Sequence, residues 1–296
     1  MFARVLFPTD FSRFANQLVD CFGELKQAGT EEVAVLHVVE PWEAVGWARV
    51  EGAVLAEQKQ RAQEQLDAIR SRLEKFGLRV RPHVVMGFVH QEIVRVAWEE
   101  HASLIVMGTH GHGFFPGAIV GSVTHNVVRQ APVPVLVHKL KLIEPLGKEE
   151  CRFVCQRVFR RVLVPTDFSP AASEALAAAK RLHAAGAEEA VVLHVQDVRK
   201  LRPHLEHKLE EFNRIDGQRL ERIRQELEFF GLKTKVLLRE GVPAQEIDRA
   251  AREEDVSLIV IGSKGRTALA DALLGSVSDA VICRHPRPVL VVRARE

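Results

Sequence analysis

The chain carries nearly the same nine residues twice. RVLFPTDFS spans Arg4–Ser12, and RVLVPTDFS spans Arg161–Ser169, 157 positions on. LHV at Leu36–Val38 returns at Leu193–Val195 with the same offset. SLIVMG from Ser103 returns as SLIVIG from Ser257, now 154 positions on; GSV at Gly121 and Gly275, and PVLV at Pro134 and Pro288, keep that offset. The second copy is therefore three residues shorter between Val38 and Ser103, a change that surface connections absorb. Two long copies mean a duplicated domain rather than a stack of short repeats. A chain of 296 residues is long enough for two domains that each bury a core. The expected boundaries are 1–140 for the first domain, 141–158 for a linker and 159–296 for the second.

Each copy alternates strand and helix. Val5–Pro8 is a short apolar run closed by proline. Ser12 is placed to cap a helix through about Ala28, its hydroxyl accepting a free first-turn amide. Val33–Val39 reads as strand and Gln58–Phe76 as a charged helix, with Leu66, Ile69, Leu73 and Phe76 on one face. Strand at Leu78–Met86, helix at Gln91–Glu100, strand at Leu104–Met107, helix from about Ile119 to Arg129 and strand at Val133–Val137 complete the copy. The second copy reads Arg161–Pro165, Ser169–His183, Ala190–Val195, a long helix Pro203–Phe230, Leu232–Leu238, Ala244–Glu254, Leu258–Ile261, Asp271–Arg284 and Val289–Val292. Such alternation with β-branched strands predicts an α/β fold: two tandem, doubly wound domains, each a parallel sheet with helices on both faces. The proline-flanked last strands, VPVLVH and RPVLVV, are expected at sheet edges.

Charge narrows the partners. The formal net charge of +2 lacks the positive field of a general nucleic-acid or membrane-surface binder. No apolar run reaches the roughly 18 residues needed to cross a bilayer. MFARVLFPTD enters a strand at once without a leader pattern, so the expected location is cytoplasmic. Cys21, Cys151, Cys155 and Cys283 do not form zinc-type pairs, and Cys151 and Cys155 read as incidental thiols.

The chemistry concentrates after the fourth strand. GTHGHGFFPGAIVGS (Gly108–Ser122) and GSKGRTALADALLGS (Gly262–Ser276) keep glycine, two residues, glycine, nine residues, glycine-serine, while the residues between differ. Ligands on doubly wound sheets bind beyond the carboxyl ends of strands where the order reverses. Asp10 follows the first strand and Gly108 ends the fourth, so both border one crevice if those strands are neighbours. Glycine amides without a Cβ, facing a helix N-terminus at Gly121-Ser122, form a chemically reasonable phosphate cradle. A tight turn alone also accounts for glycines after a strand; their retention in two otherwise unlike copies favours the cradle. The segment is neither a Walker loop nor the first-strand dinucleotide fingerprint.

Other residues carry plainer readings. Asp10 and Asp167 either face a ligand or support the turn into the next helix. His37 and His194 read as hydrogen-bonded structural residues within strands. His110, His112 and His125 do not read as a metal site, because only His110 has a counterpart in the glycine pattern and that counterpart is Lys264. No catalytic residue is assigned.

G-x2-G-x9-G-[ST], PTDFS after the first strand and LHV closing the second together resemble the universal stress protein family, in its ATP-binding branch, over essentially the whole chain. The resemblance implies a five-stranded sheet in the order 3-2-1-4-5. It implies an ATP site in which Pro8, Thr9 and Asp10 line the adenosine end, and Val38 offers backbone groups to adenine. Met107 and Gly108 would form the floor, and His110, Gly111, Gly121, Ser122, Val123 and Thr124 would surround the phosphates. The matching second set is Pro165, Thr166, Asp167, Val195, Ile261, Gly262, Lys264, Gly265, Gly275, Ser276, Val277 and Ser278. A divalent ion, Mg2+, would accompany the nucleotide. The first copy has His110 where the second has Lys264, and Lys264 and Arg266 attract a triphosphate more strongly than a neutral imidazole and Phe114, so tighter binding is expected in the second domain. Phe114 and Phe115 pack on a partner, on the other domain or inside their own. The family's edge pairing implies that the two domains pair within the chain, with a homodimer as a further step. The functions in view are an ATP-binding regulatory or stress-response protein, a slow ATPase or nucleotidyl-transfer enzyme, and a nucleotide-free scaffold.

Overall fold

A computed structural model of the chain describes residues 2–40, 52–109, 120–139, 157–201, 208–264 and 274–293. The chain divides into two compact units, Met1–Gln156 and Arg157–Glu296. Most of the expected linker, together with His110, Gly111, Phe114, Phe115, Cys151, Cys155, Gly265 and Arg266, lies outside the described residues.

The first unit runs β1 (Arg4–Pro8), α1 (Arg13–Leu18), α2 (Phe22–Gln27), β2 (Glu32–Val39), α3 (Gly52–Glu74), β3 (Arg79–Met86), α4 (Val89–Glu99), β4 (Leu104–Gly108), α5 (Ser122–Gln130) and β5 (Val135–His138). Its strands are parallel, in the order β3-β2-β1-β4-β5. The second runs β6 (Arg161–Pro165), α6 (Pro170–Leu182), β7 (Glu189–Asp197), α7 (Val198–Leu201), α8 (Leu209–Phe229), β8 (Lys233–Gly241), α9 (Pro243–Glu253), β9 (Leu258–Gly262), α10 (Ser276–Arg284) and β10 (Val289–Val292). Its parallel order is β8-β7-β6-β9-β10. Both are the order 3-2-1-4-5, and the last strand of each copy is outermost among that domain's five.

The central strands are buried almost end to end, as in Val33, Val35 and Leu36 or Val191, Val192 and Leu193, the burial expected of a sheet covered on both faces. Leu66, Ile69 and Leu73 of α3 turn into the core as their spacing requires. Helix α3 packs on β2 and β3, and α4 packs with α5. Ser12 and Ser169 cap α1 and α6, accepting the amides of Ala15 at 3.2 Å and Ala172 at 3.3 Å.

Three expectations need correction. The helix expected from Ser12 to Ala28 is broken by a tight turn at Val19–Cys21. The second copy is continuous to Leu182 because it spends AASEALAAAK where the first has β-branched Val19 and then Gly23. The helices expected from Ile119 and Asp271 begin at Ser122 and Ser276, with Gly121 and Gly275 as extended N-caps. The strand expected from Val133 starts at Val135. Cys283 is not in a disulfide and its thiol donates to Asp279 Oδ1 at 3.9 Å, whereas Cys21 is disulfide-bonded. Among the described residues no helix is long and apolar enough to cross a membrane.

Gly262 has no room for a side chain: a Cβ there would lie 2.7 Å from the carbonyl carbon and oxygen of Ala171 in α6. Gly217, inside α8, faces open space. Gly262→Ala is expected to lower the free energy of unfolding by about 1–3 kcal/mol, and Gly217→Ala to raise it by about 1 kcal/mol. Urea denaturation of both variants checks the opposite signs.

His138, the last residue of β5, is fully buried, and burial pushes its pKa down from 6.5 to about 4. The unfolded chain then binds one more proton than the native state between those values. The neutral native imidazole's contribution is whole above pH 6.5 and is lost as pH falls towards 4, with a span of about 3 kcal/mol. The matching residue in the second copy is Val292. His138→Val is expected to flatten the loss of stability between pH 6.5 and 4 by one proton's worth, read from denaturation midpoints across that range.

Candidate functional site

The strand order reverses between β1 and β4 in the first domain and between β6 and β9 in the second. Val5 pairs with Leu104 and Leu6 with Ile105; Val162 pairs with Leu258 and Leu163 with Ile259. Pro8–Asp10 and Met107–Gly108 therefore leave the sheet at the same end. Pro8 pairs with Leu36, and the Thr9 amide donates to the Leu36 carbonyl at 2.8 Å, which places Val38 at that end too. Pro165, Thr166, Leu193 and Val195 repeat the arrangement. Met107 and Ile261 are buried beneath it.

Asp10 begins a tight turn. Its Oδ1 accepts the Ser12 amide at 3.0 Å, as Oδ1 of Asp167 accepts that of Ser169 at 3.0 Å. Both carboxylates thus support the turn, and both sit half-buried at the crevice.

The helices are brought back to the strand ends by two bonds in each copy. The Gly121 amide donates to the Thr109 carbonyl at 2.7 Å, and the Gly275 amide to the Ser263 carbonyl at 2.8 Å. The Thr124 hydroxyl donates to the Gly108 carbonyl at 2.9 Å, and that of Ser278 to the Gly262 carbonyl at 2.7 Å. Pro8, Thr9, Asp10, Val38, Met107, Gly108 and Gly121–Thr124 are thereby gathered at one end of the first sheet. The equivalent residues from Pro165 to Ser278 gather at one end of the second, with Lys264 half-buried beside them.

These bonds redistribute the donors. The amides of Gly121 and Gly275 are engaged inside the protein, and the hydroxyls of Thr124 and Ser278 hold strand carbonyls. What is left is the first helical turn. Gly121 and Gly275 have no side chain to cap it. Among the described residues, the amides of Ser122, Val123 and Thr124, and those of Ser276, Val277 and Ser278, meet no acceptor. Three amides in a turn, at the positive end of a helix, are donors of the kind that can receive an anion.

Sequence reasoning missed Thr109 and Ser263. Each is buried. Each also donates its amide to the last strand, to His138 at 3.1 Å or Val292 at 2.7 Å, while its carbonyl holds Gly121 or Gly275. The available signal was a small hydroxyl residue directly after the strand glycine in both copies.

Comparison with known proteins finds one family in both halves of the chain. The universal stress protein family matches residues 1–139 and again 159–293. Universal stress protein MJ0577 of Methanocaldococcus jannaschii is 36% identical over 157 residues, covering 47% of this chain and 97% of its own. Universal stress protein Rv2623 of Mycobacterium tuberculosis is 28% identical over 283 residues, covering 88% of this chain and 86% of its own. The crystal structure of a universal stress protein from Archaeoglobus fulgidus superposes with a TM-score of 0.74 at 27% identity, covering 99% of this chain and 97% of that one.

Ser278→Ala removes the donor that ties α10 to the end of β9 and leaves a buried carbonyl unpaired. The expected cost is about 1 kcal/mol of stability, with a matching loss for Thr124→Val, both measured by denaturant unfolding. Unchanged stability in both would deny these hydroxyls their fastening role.

Proposed function

The chain belongs to the universal stress protein family, and from that membership we propose that each of its domains binds ATP in the service of a regulatory, stress-response role. The observation that carries the reading is the pair of uncapped helix starts, Ser122–Thr124 and Ser276–Ser278, turned to the strand ends that bear Asp10 and Asp167. In this reading the triphosphate lies on those amides and on the glycine segments that include His110, Gly111, Lys264 and Gly265. The adenosine lies towards Pro8–Asp10 and Val38, or Pro165–Asp167 and Val195.

The donor set suits an anion better than a bare cation. Among the described residues no group of three or more His, Cys, Asp or Glu is assembled to hold a metal. Mg2+ would arrive with the nucleotide and neutralise phosphate charge there. The protein's own residues orient the tail, pin the loop ends and present the base end to β2 or β7.

Nucleotide would act as a conformational weight. A ligand that binds only the native state stabilises it by about 2.7 kcal/mol at 100 times its dissociation constant, enough to bias contacts with a partner. The working location is cytoplasmic. A homodimer is the proposed level of assembly.

Mass spectrometry of small molecules released from freshly purified protein is expected to find ATP, and its absence from both the preparation and an added-ATP titration would defeat the reading. Calorimetry should then resolve two sites. Gly111→Val is expected to leave only the second, and Gly265→Val only the first. The second should bind about tenfold more tightly through its charged Lys264 and Arg266; a weaker second site would contradict this.

A further inference from the structure

Both copies contain one more arrangement at the crevice. Phe11 and Phe168 each take a φ of 60°, a left-handed backbone that is costly for a bulky side chain and persists only where its surroundings over-determine it. Two bonds within the turn contribute. The Phe11 amide donates to Thr9 Oγ1 at 3.0 Å and the Phe168 amide to Thr166 Oγ1 at 3.0 Å. Each aspartate then holds the following serine amide, as described above.

A third restraint reaches across from the neighbouring strand. Nδ1 of His37 lies 3.0 Å from the Thr9 carbonyl oxygen, and Nδ1 of His194 lies 2.7 Å from that of Thr166. A carbonyl oxygen only accepts, so the proton of each bond sits on Nδ1. The same imidazoles lie against the strained phenylalanines. Ring centroids are 4.3 Å apart at 30° for Phe11 and His37, and 4.6 Å at 38° for Phe168 and His194.

The surroundings of this unit differ between domains. Asn16 Nδ2 donates to the Phe11 carbonyl at 2.9 Å and to the Ser12 carbonyl at 3.2 Å, whereas the hydroxyl of its counterpart Ser173 donates to the Ser169 carbonyl at 3.2 Å. In the second domain Asp216 Oδ2 lies 3.4 Å from His194 Nε2, and the Arg219 guanidinium sits 5.2 Å above the Phe168 ring. The matching first-domain residues are Ala62 and Gln65. The histidine, the threonine carbonyl and the left-handed phenylalanine persist through these replacements.

We infer that His37 and His194 are positioning residues for the nucleotide, each locking the Pro-Thr-Asp turn that presents Asp10 or Asp167 to the crevice. The inference rests on the nucleotide reading above. Without the Nδ1 bond and the stacked ring, the phenylalanine relaxes to a negative φ, the peptide before it rotates, and the aspartate swings out of register with the helix start that faces it.

The test uses the full chain and ATP as probe. Gly265→Val silences the second site while His37 is varied, and Gly111→Val silences the first while His194 is varied. His→Phe keeps a ring to stack and deletes the donor; His→Asn keeps a donor near the Nδ1 position. The phenylalanine variants are expected to bind ATP about tenfold more weakly, and the asparagine variants to recover most of that loss. A merely structural role would lower the nucleotide-free melting temperature and leave the affinity of the folded protein unchanged. Unaltered affinity in both phenylalanine variants, beside a wild type that binds, overturns the inference alone. A wild type that binds no ATP at either site fails the nucleotide reading first and takes the positioning role with it. Should the phenylalanine variants not fold, long-range proton–nitrogen correlation on the wild-type imidazoles decides. Protonated Nδ1 is expected on both, and a bare Nδ1 on either overturns the brace there.

Discussion

In each domain a backbone hydrogen bond pins the start of the helix that follows the fourth strand to the end of that strand. It joins Gly121 to Thr109 in the first domain and Gly275 to Ser263 in the second. Thr109 and Ser263 are themselves tied by their amides to the last strand, so the bond fixes the helix start to the rigid end of the sheet. The consequence is electrostatic: the helix begins without a side-chain cap, and its first amides face the point where the strand order reverses. Reversal supplies the crevice, and the pinned helix start supplies the donors.

The duplication acts as an internal control on which features matter. Thr124 becomes Ser278, Thr109 becomes Ser263 and Met107 becomes Ile261, yet each keeps its hydrogen bond or its place in the core. The long helices diverge further, with Ala62 in the first copy where the second has Asp216. Length, packing and capping tolerate such change because the parallel ladders alone set the relative heights of the strand ends.

Much of this was legible in the sequence because its signals are local. Alternating apolar strands and amphipathic helices announce a doubly wound sheet, and offsets of 157 and 154 announce two of them. The glycine spacing pointed to the end of the sheet where the strand order reverses. What it could not convey was which amides remain free. Gly121 and Gly275 read as open donors, but tertiary contact with Thr109 and Ser263 consumes them, and among the described residues it is the next three amides that meet no acceptor. Gly262 illustrates the same limit, since Ala171 leaves it no room whatever binds above. The break at Val19–Cys21 went unread because helix propensity weakens there without any proline to mark it. The left-handed Phe11 and Phe168 are likewise silent in sequence, since nothing but the fold forces a phenylalanine into that conformation.

The central claim is that the amides opening α5 and α10 hold the phosphates. Backbone proton–nitrogen spectra recorded during titration with ATP and Mg2+ address those atoms directly. The account predicts large shifts and new exchange protection at Ser122, Val123, Ser276 and Val277, while the amides of Gly121 and Gly275 keep the protection of their internal bonds. Saturable ATP binding that leaves the amides of both helix starts unmoved would contradict it.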